Sequence, residues 1–277
     1  MSLLVAGSLH LDVVLRAPHL PATDETVAGT SVNYVFGGKG GNQALAAARM
    51  GAGVHFAGRL GRDRFGEMLR ETLQTSGIDL SQLQTDDGAS GMSAAIVDAN
   101  GEYGAVIVSA ANLNIDADRI TLPPDTSLVI LQNEIPDAAN LEIARNARAA
   151  GAQVWLNAAP ARSLPDALAE SIDLLIVNRV EAEFYSKAGI RTQMLRTAGA
   201  EGVLFLGGHW PAETVEVVST HGAGDMFIGA LAARVSEGME ITDAIPFAQA
   251  AAALHISVPE DQRSTLNRSA VDAFLTG

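Results

Sequence analysis

Ser127-Leu128-Val129-Ile130-Leu131 is followed by a helical pattern from Pro136 to Ala150 and then by Gln153-Val154-Trp155-Leu156. Both apolar runs lack polar alternation, as expected of strands covered on both faces; a strand with one wet face alternates. The rhythm continues with a helical pattern from Leu164 to Ser171, the run Leu174 to Val177, and a further helical pattern from Val180 to Lys187. Short apolar strand, helix and short apolar strand make βαβ units. The expected fold class is therefore α/β, a doubly wound and mostly parallel sheet.

Two stretches break this rhythm. Ser93 to Val97 and Ala105 to Ser109 flank Asn100-Gly101, two residues that tolerate positive φ, and Val13 to Arg16 and Thr30 to Phe36 have comparable alternation. They predict a small β-sheet lid within about residues 12–36 and 91–110, carried on a single domain spanning 1–277. An edge extension of the main sheet would give the same pattern.

The 277 residues include 48% hydrophobic and 18% charged residues, which excludes intrinsic disorder, and no apolar run approaches the length of a membrane span. With no cysteine there are no disulfides, thiolate metal sites or cysteine nucleophiles. The N-terminus lacks a basic secretory n-region, so a cytoplasmic protein is expected. Only 18 basic residues stand against 32 acidic ones, a net charge of −14, which argues against nucleic acid as a partner. The six histidines show no HxH or HxxxH spacing, and there is no G-x-S-x-G elbow.

Chemistry concentrates at a few junctions. Ser219-Thr220-His221-Gly222-Ala223-Gly224-Asp225 runs into the helical pattern Met226 to Val235. Gly222, Ala223 and Gly224 carry little side chain, so their N–H groups can face an anion at the positive end of the helix dipole. Asp225 beside that anion is electrostatically awkward unless it accepts a proton, for example from a hydroxyl attacking phosphorus. An ordinary N-cap or first-turn aspartate explains it as well. Phe36-Gly37-Gly38-Lys39-Gly40-Gly41-Asn42-Gln43 is expected to form a loop before the helical run Ala44 to Met50. Its glycines allow close backbone approach, Lys39 is a point charge, and Asn42 offers both donor and acceptor to a hydroxylated ligand. It is not a Walker A loop, because Gly40 follows Lys39 where Ser or Thr should stand.

Asn178-Arg179-Val180-Glu181 follows a buried strand, at the carboxyl end where open α/β sheets bind ligands. Asn178 and Glu181 could organise magnesium waters and phosphates, or simply form a capping box. Thr197-Ala198-Gly199-Ala200-Glu201-Gly202 is a glycine-punctuated turn before Val203 to Leu206, suited to passing a flat ring or a phosphate. Asp12 and Glu134, each just after a strand, could accept from sugar hydroxyls or could simply be solvated.

In this order, the Gly-Gly-Lys-Gly-x-Asn-Gln, Asn-x-x-Glu, Thr-x-Gly-x-x-Gly and Thr-x-Gly-Ala-Gly-Asp motifs make nearly the whole chain resemble the ribokinase-like (PfkB) carbohydrate kinases. The stretch Asn157-Ala158-Ala159-Pro160-Ala161-Arg162 and the Lys39 form of the glycine run point to the ribokinase branch. The resemblance implies ATP-dependent phosphorylation of a primary hydroxyl of ribose or a related sugar, and a lid that often forms a homodimer interface. It implies Asp225 as general base and Gly222, Ala223 and Gly224 as anion hole. Asn178 and Glu181 would organise Mg²⁺ through water, and Asn178, Thr197, Gly199, Gly202 and Gly224 would contact ATP. His10, Asp12, Gly38, Lys39, Asn42, Glu134 and Asp225 would hold the sugar.

The chain departs from that pattern at several places. His10 stands where the family usually has Asn, which opens the acceptor to a nucleoside or another sugar. Ser219 replaces an Asp that helps hold a monovalent cation, so weak or absent potassium activation is expected. Gly189 to Thr197 is too short for the family's helix, and Pro259 to Thr265 lacks the family's glycine-containing loop. A catalytically silent sugar-binding protein on the same fold is one alternative. A nicotinamide oxidoreductase is another, although Phe227 stands where its third glycine should be.

Overall fold

The computed structural model describes residues 2–276. From the N-terminus, β1 (Ser2–Ala6) is followed by β2 (His10–Arg16), β3 (Ser31–Gly37), α1 (Lys39–Arg49), β4 (Gly53–Gly61), α2 (Arg64–Thr75) and β5 (Asp79–Asp86). Then come β6 (Met92–Val97), β7 (Tyr103–Val108), β8 (Thr126–Gln132), α3 (Asp137–Ala149), β9 (Gln153–Asn157), α4 (Asp166–Ala169), β10 (Leu174–Asn178) and α5 (Arg179–Lys187). The chain ends with β11 (Met194–Thr197), β12 (Val203–Phe205), β13 (Gly208–Trp210), α6 (Ala223–Ser236), α7 (Ile241–Ser257) and α8 (Arg268–Thr276).

The large sheet has the order β13-β12-β11-β10-β9-β8-β1-β4-β5, parallel from β11 to β5 with an antiparallel β12 and β13 at one edge. Its strands read as unbroken apolar runs because successive side chains enter two different cores. Leu3 and Val5 pack into one core with α1, α6 and α7, while Leu4 and Ala6 pack into the other with α3 and Tyr185 of α5. Leu128 and Ile130 alternate with Val129 and Leu131 in the same way. Each fully buried Leu or Ile stabilises this platform by roughly 1.5–3 kcal/mol.

The four strands that break the rhythm form a second sheet of order β3-β2-β6-β7. It is hydrogen-bonded separately from the large sheet, so the edge-extension alternative is set aside. It begins at His10, two residues earlier than expected. Asn100-Gly101 sits in a five-residue connection in which the Asp98 carboxylate accepts from the Asn100 and Glu102 N–H groups. Much of this sheet is uncovered: Tyr103, Val106 and Ile107 are 71%, 67% and 64% exposed.

Two helices differ from expectation. The pattern Leu164 to Ser171 yields only the single turn α4, which follows Pro165. Helix α1 starts at Lys39, five residues before the expected Ala44. The glycine-rich stretch is therefore largely the first turn of a helix and not a loop. A Cβ on Gly40 would lie 2.7 Å from the Gly7 and Ser8 backbone, and one on Gly38, at φ +89°, would lie 2.8 Å from Ser8 O. The glycines let the helix start press directly onto the β1–β2 connection.

Candidate active site

The parallel strands β8, β9, β10 and β11 end on the polar residues Gln132, Asn157, Asn178 and Thr197, with Gln132 beside Asn157 and Asn178 beside Thr197 in register. Polar side chains thus collect at the carboxyl edge of the sheet. The N-termini of α1 and α6 converge over this edge. Asp225 is the third residue of α6 and makes no cap bond to that helix. Its Oδ1 accepts from Gln43 Nε2 at 2.9 Å, and its Oδ2 accepts from Asn42 Nδ2 at 3.3 Å. It is a first-turn residue whose carboxylate is turned toward α1.

Gln43 is fully buried and links Asp225 to the strand ends, donating to Asn157 Oδ1 at 3.0 Å and accepting from Gln132 Nε2 at 2.9 Å. A buried network of this kind fixes geometry, because rearranging it leaves further buried polar atoms unpaired. Burial pushes the Asp225 carboxyl above the usual carboxylate range, while Lys39, Gln43 and Asn42 pull it back and Glu134 adds to the rise. A carboxyl so raised is a stronger base, once ionised, than an exposed aspartate.

Glu134 Oε2 accepts from the Lys39 N–H at 2.8 Å and also from Ser8 Oγ. The Lys39 charge opposes the upward shift of both the Asp225 and the Glu181 carboxyl. Gly222 is the N-cap of α6 in the left-handed region, φ +75°. The Ala223 N–H donates to Thr220 O at 3.3 Å. Of the three expected donors, Ala223 alone has an acceptor among the described residues. Among the described residues, the N–H groups facing no protein acceptor there are those of Gly222, Gly224 and Asp225, and a Cβ on Gly224 would meet open space.

Asn178 and Glu181 form the capping box, each side chain accepting from the other's N–H at 2.9 and 2.8 Å. Glu181 is buried, and burial raises its carboxyl. Thr197 Oγ1 donates to Val177 O, tying β11 to β10. Gly202, at φ +95°, would clash with Trp210 O if it carried a Cβ, whereas Gly199, at φ +58°, faces open space. These turn residues lie at the connection between β11 and β12.

His10 and Asp12 share one face of the second sheet. Asp12 accepts from Ser93 Oγ and sits where a Cβ on Gly37 would be. His10 is 5% exposed, and its Nε2 has no partner among the described residues. Beside Asn42, Gly222 and Asp225 a cleft of about 590 Å³ opens between β3 and the turn Glu260–Thr265.

Sequence reasoning missed Ser8, Gln132, Asn157, His255 and Arg263 as parts of this region. For Gln132 and Asn157 the signal was available: each is a polar residue closing an apolar run at the end where ligands bind.

Among the described residues no helix is long and apolar enough to cross a membrane, and no cluster of three or more His, Asp or Glu side chains is arranged to hold a metal. Residues 1–268 match the pfkB family of carbohydrate kinases. The ribokinase of Bacillus subtilis is 32% identical, with 98% of each chain covered. The crystal structure of ribokinase from Thermotoga maritima superposes with a TM-score of 0.90 at 28% identity, covering all of both chains. The structure of Arabidopsis thaliana ribokinase complexed with ribose and ATP gives a TM-score of 0.89 at 27% identity, covering 100% of this chain and 99% of that one. These matches set aside the oxidoreductase alternative. With its motifs in family order and its fold matched from end to end, this chain belongs to the pfkB family of carbohydrate kinases.

Proposed function

We propose that this ATP-dependent carbohydrate kinase transfers the γ-phosphoryl group of ATP to the primary hydroxyl of ribose, with Asp225 as the base. The observation that carries this reading is the Asp225 carboxylate, held by Gln43 and Asn42 beside the free Gly222, Gly224 and Asp225 N–H groups. The ribose and ATP bound in the Arabidopsis relative supply the substrate class.

Asp12, Gly38, Asn42 and Glu134 orient the sugar, and the unpaired His10 Nε2 reaches one of its hydroxyls. Asp225 takes the hydroxyl proton as the oxygen attacks phosphorus. The free N–H groups at the start of α6, with Lys39, stabilise the negative charge on the transferring group. Asn178, Thr197, Gly199, Gly202 and Gly224 line the nucleotide.

Mg²⁺ usually keeps several waters and needs only one or two carboxylates beside the substrate phosphates, so the single buried Glu181 with Asn178 fits an ATP-borne ion. Bound there, it would neutralise charge on the phosphates. The test is ADP release with ribose, 2-deoxyribose, fructose and ribonucleosides. A preference for ribonucleosides over ribose would move the acceptor assignment and leave the base assignment standing.

The chain acts as one domain in this reading, and the second sheet closes over the sugar to exclude water. The same sheet joins two copies. Its outer strand β7 presents exposed Tyr103, Val106, Ile107 and Val108 with an unpaired edge, a surface that invites aggregation unless covered. Sedimentation is expected to give twice the mass of the chain, and Ile107→Glu to give the monomer with an unchanged melting temperature. A wild-type monomer would refute the dimer.

No monovalent activator is needed in this proposal, since Ser219 offers no carboxylate to hold one. Adding potassium at constant ionic strength is expected to leave the rate within about twofold, and a steep rise would overturn that.

A further inference from the structure

The turn that leads into α6 rests on a buried arginine that the reading above does not use. Arg263 Nη2 donates to Ser219 O at 2.9 Å and Nη1 donates to His221 O at 3.0 Å, with the side chain only 7% exposed. The nearest carboxylate, Glu260, is 3.8 Å away and 53% exposed, and Arg263 Nε has no partner among the described residues. The guanidinium is therefore solvated by backbone carbonyls, and its charge is left largely uncompensated by protein. His255 Nε2 lies 2.9 Å from the same His221 O, and burial pulls that imidazole down to about 4, so it is neutral and its Nε2 carries the donated hydrogen. Two donors thus fix one carbonyl.

A trans peptide points its C=O and N–H in opposite directions. Bonds to the Ser219 and His221 carbonyls therefore aim the Thr220 and Gly222 N–H groups away from the guanidinium, and they polarise them. Gly222 N–H is one of the donors left without a protein acceptor. We propose that Arg263 is a positioning residue, a built-in cation behind the anion hole that holds the Ser219–Gly222 turn and strengthens its outward N–H groups toward the transferring phosphoryl group. This rests on the kinase reading of the site.

The test compares the full chain with Arg263→Met by melting curve, kcat, sugar KM and calorimetric affinity for Mg·ATP, the last needing no turnover. Expected for Arg263→Met is a kcat about 10–100-fold lower with sugar KM within about threefold, and Mg·ATP bound at least about threefold more weakly. Guanidinium ions at sub-denaturing concentration, or potassium ions whose ligands are carbonyl oxygens, are expected to restore part of the rate. A folded variant with wild-type kcat and Mg·ATP affinity, or a loss that neither ion relieves, overturns the proposal. Should Arg263→Met fail to fold, Arg263→Lys decides: its ammonium cannot span both carbonyls as the planar fork does, and a kcat about tenfold down is expected, whereas wild-type kcat overturns the assignment. If the wild type turns over no sugar, the kinase reading fails, and the Mg·ATP affinities still decide the role of Arg263.

Discussion

Asp225→Asn is expected to lower turnover by at least ~10²-fold with the fold intact, because the amide cannot accept the hydroxyl proton. The substitution keeps an oxygen for Gln43 Nε2, so the buried chain from Gln132 to Asp225 is preserved. Two further signatures follow from the direction of the carboxyl's shift. Burial raises its pKa, and the base must be ionised, so wild-type kcat/KM should rise with pH through a limb lying above the ordinary carboxylate range and then level off. For stability, a folded carboxyl raised above its unfolded value binds more protons than the unfolded chain does between those two values. Stability from this group is therefore present at acid pH and falls as pH rises through that window. At neutral pH Asp225→Asn should melt at or above the wild-type temperature, which separates loss of chemistry from loss of fold. Turnover within a few-fold of wild type would refute the base.

Gly40→Ala is expected to damage both stability and catalysis. Its Cβ would meet Gly7 and Ser8 backbone atoms at 2.7 Å, and backbone cannot swing aside as a flexible side chain can. Overpacking of this kind costs roughly 1–3 kcal/mol. The relief available is a shift of the α1 start, which carries Lys39 and Asn42 on either side of Gly40 and Gly41. A displacement approaching 1 Å there lowers turnover by up to about 10²-fold. Scanning calorimetry together with kcat reads both effects. An unchanged melting temperature and rate would show that the helix start is not pressed against β1–β2. Gly199→Ala, whose Cβ meets nothing, makes a useful contrast: only its positive φ opposes the change.

The βαβ body was legible because Leu3, Leu4, Val5 and Ala6, like Leu128 to Leu131, are divided between two cores, and that division leaves an unbroken apolar run in the sequence. The second sheet was legible from alternation and turn residues. The start of α1 was not. Four glycines read as a loop locally, and the reason they are helical lies thirty residues earlier in the backbone of Gly7 and Ser8. Asn178 and Glu181 were legible as a capping box, because Asn before a helix with Glu three residues on is a local pattern. Arg263 gave no signal at all, since its acceptors are 42 and 44 residues away and only tertiary packing brings the guanidinium onto them. The donor set at α6 shows the same limit: Ala223 reads as a free N–H until the turn to Thr220 O is formed.

The most direct test is ADP release from Mg·ATP by the purified chain with and without D-ribose, using Asp225→Asn as the blank. Phosphorylation of ribose with Asp225 as base predicts release that needs ribose and is lost in the blank. A folded, ATP-binding protein that releases no more ADP with ribose or any other sugar or nucleoside than without would contradict it.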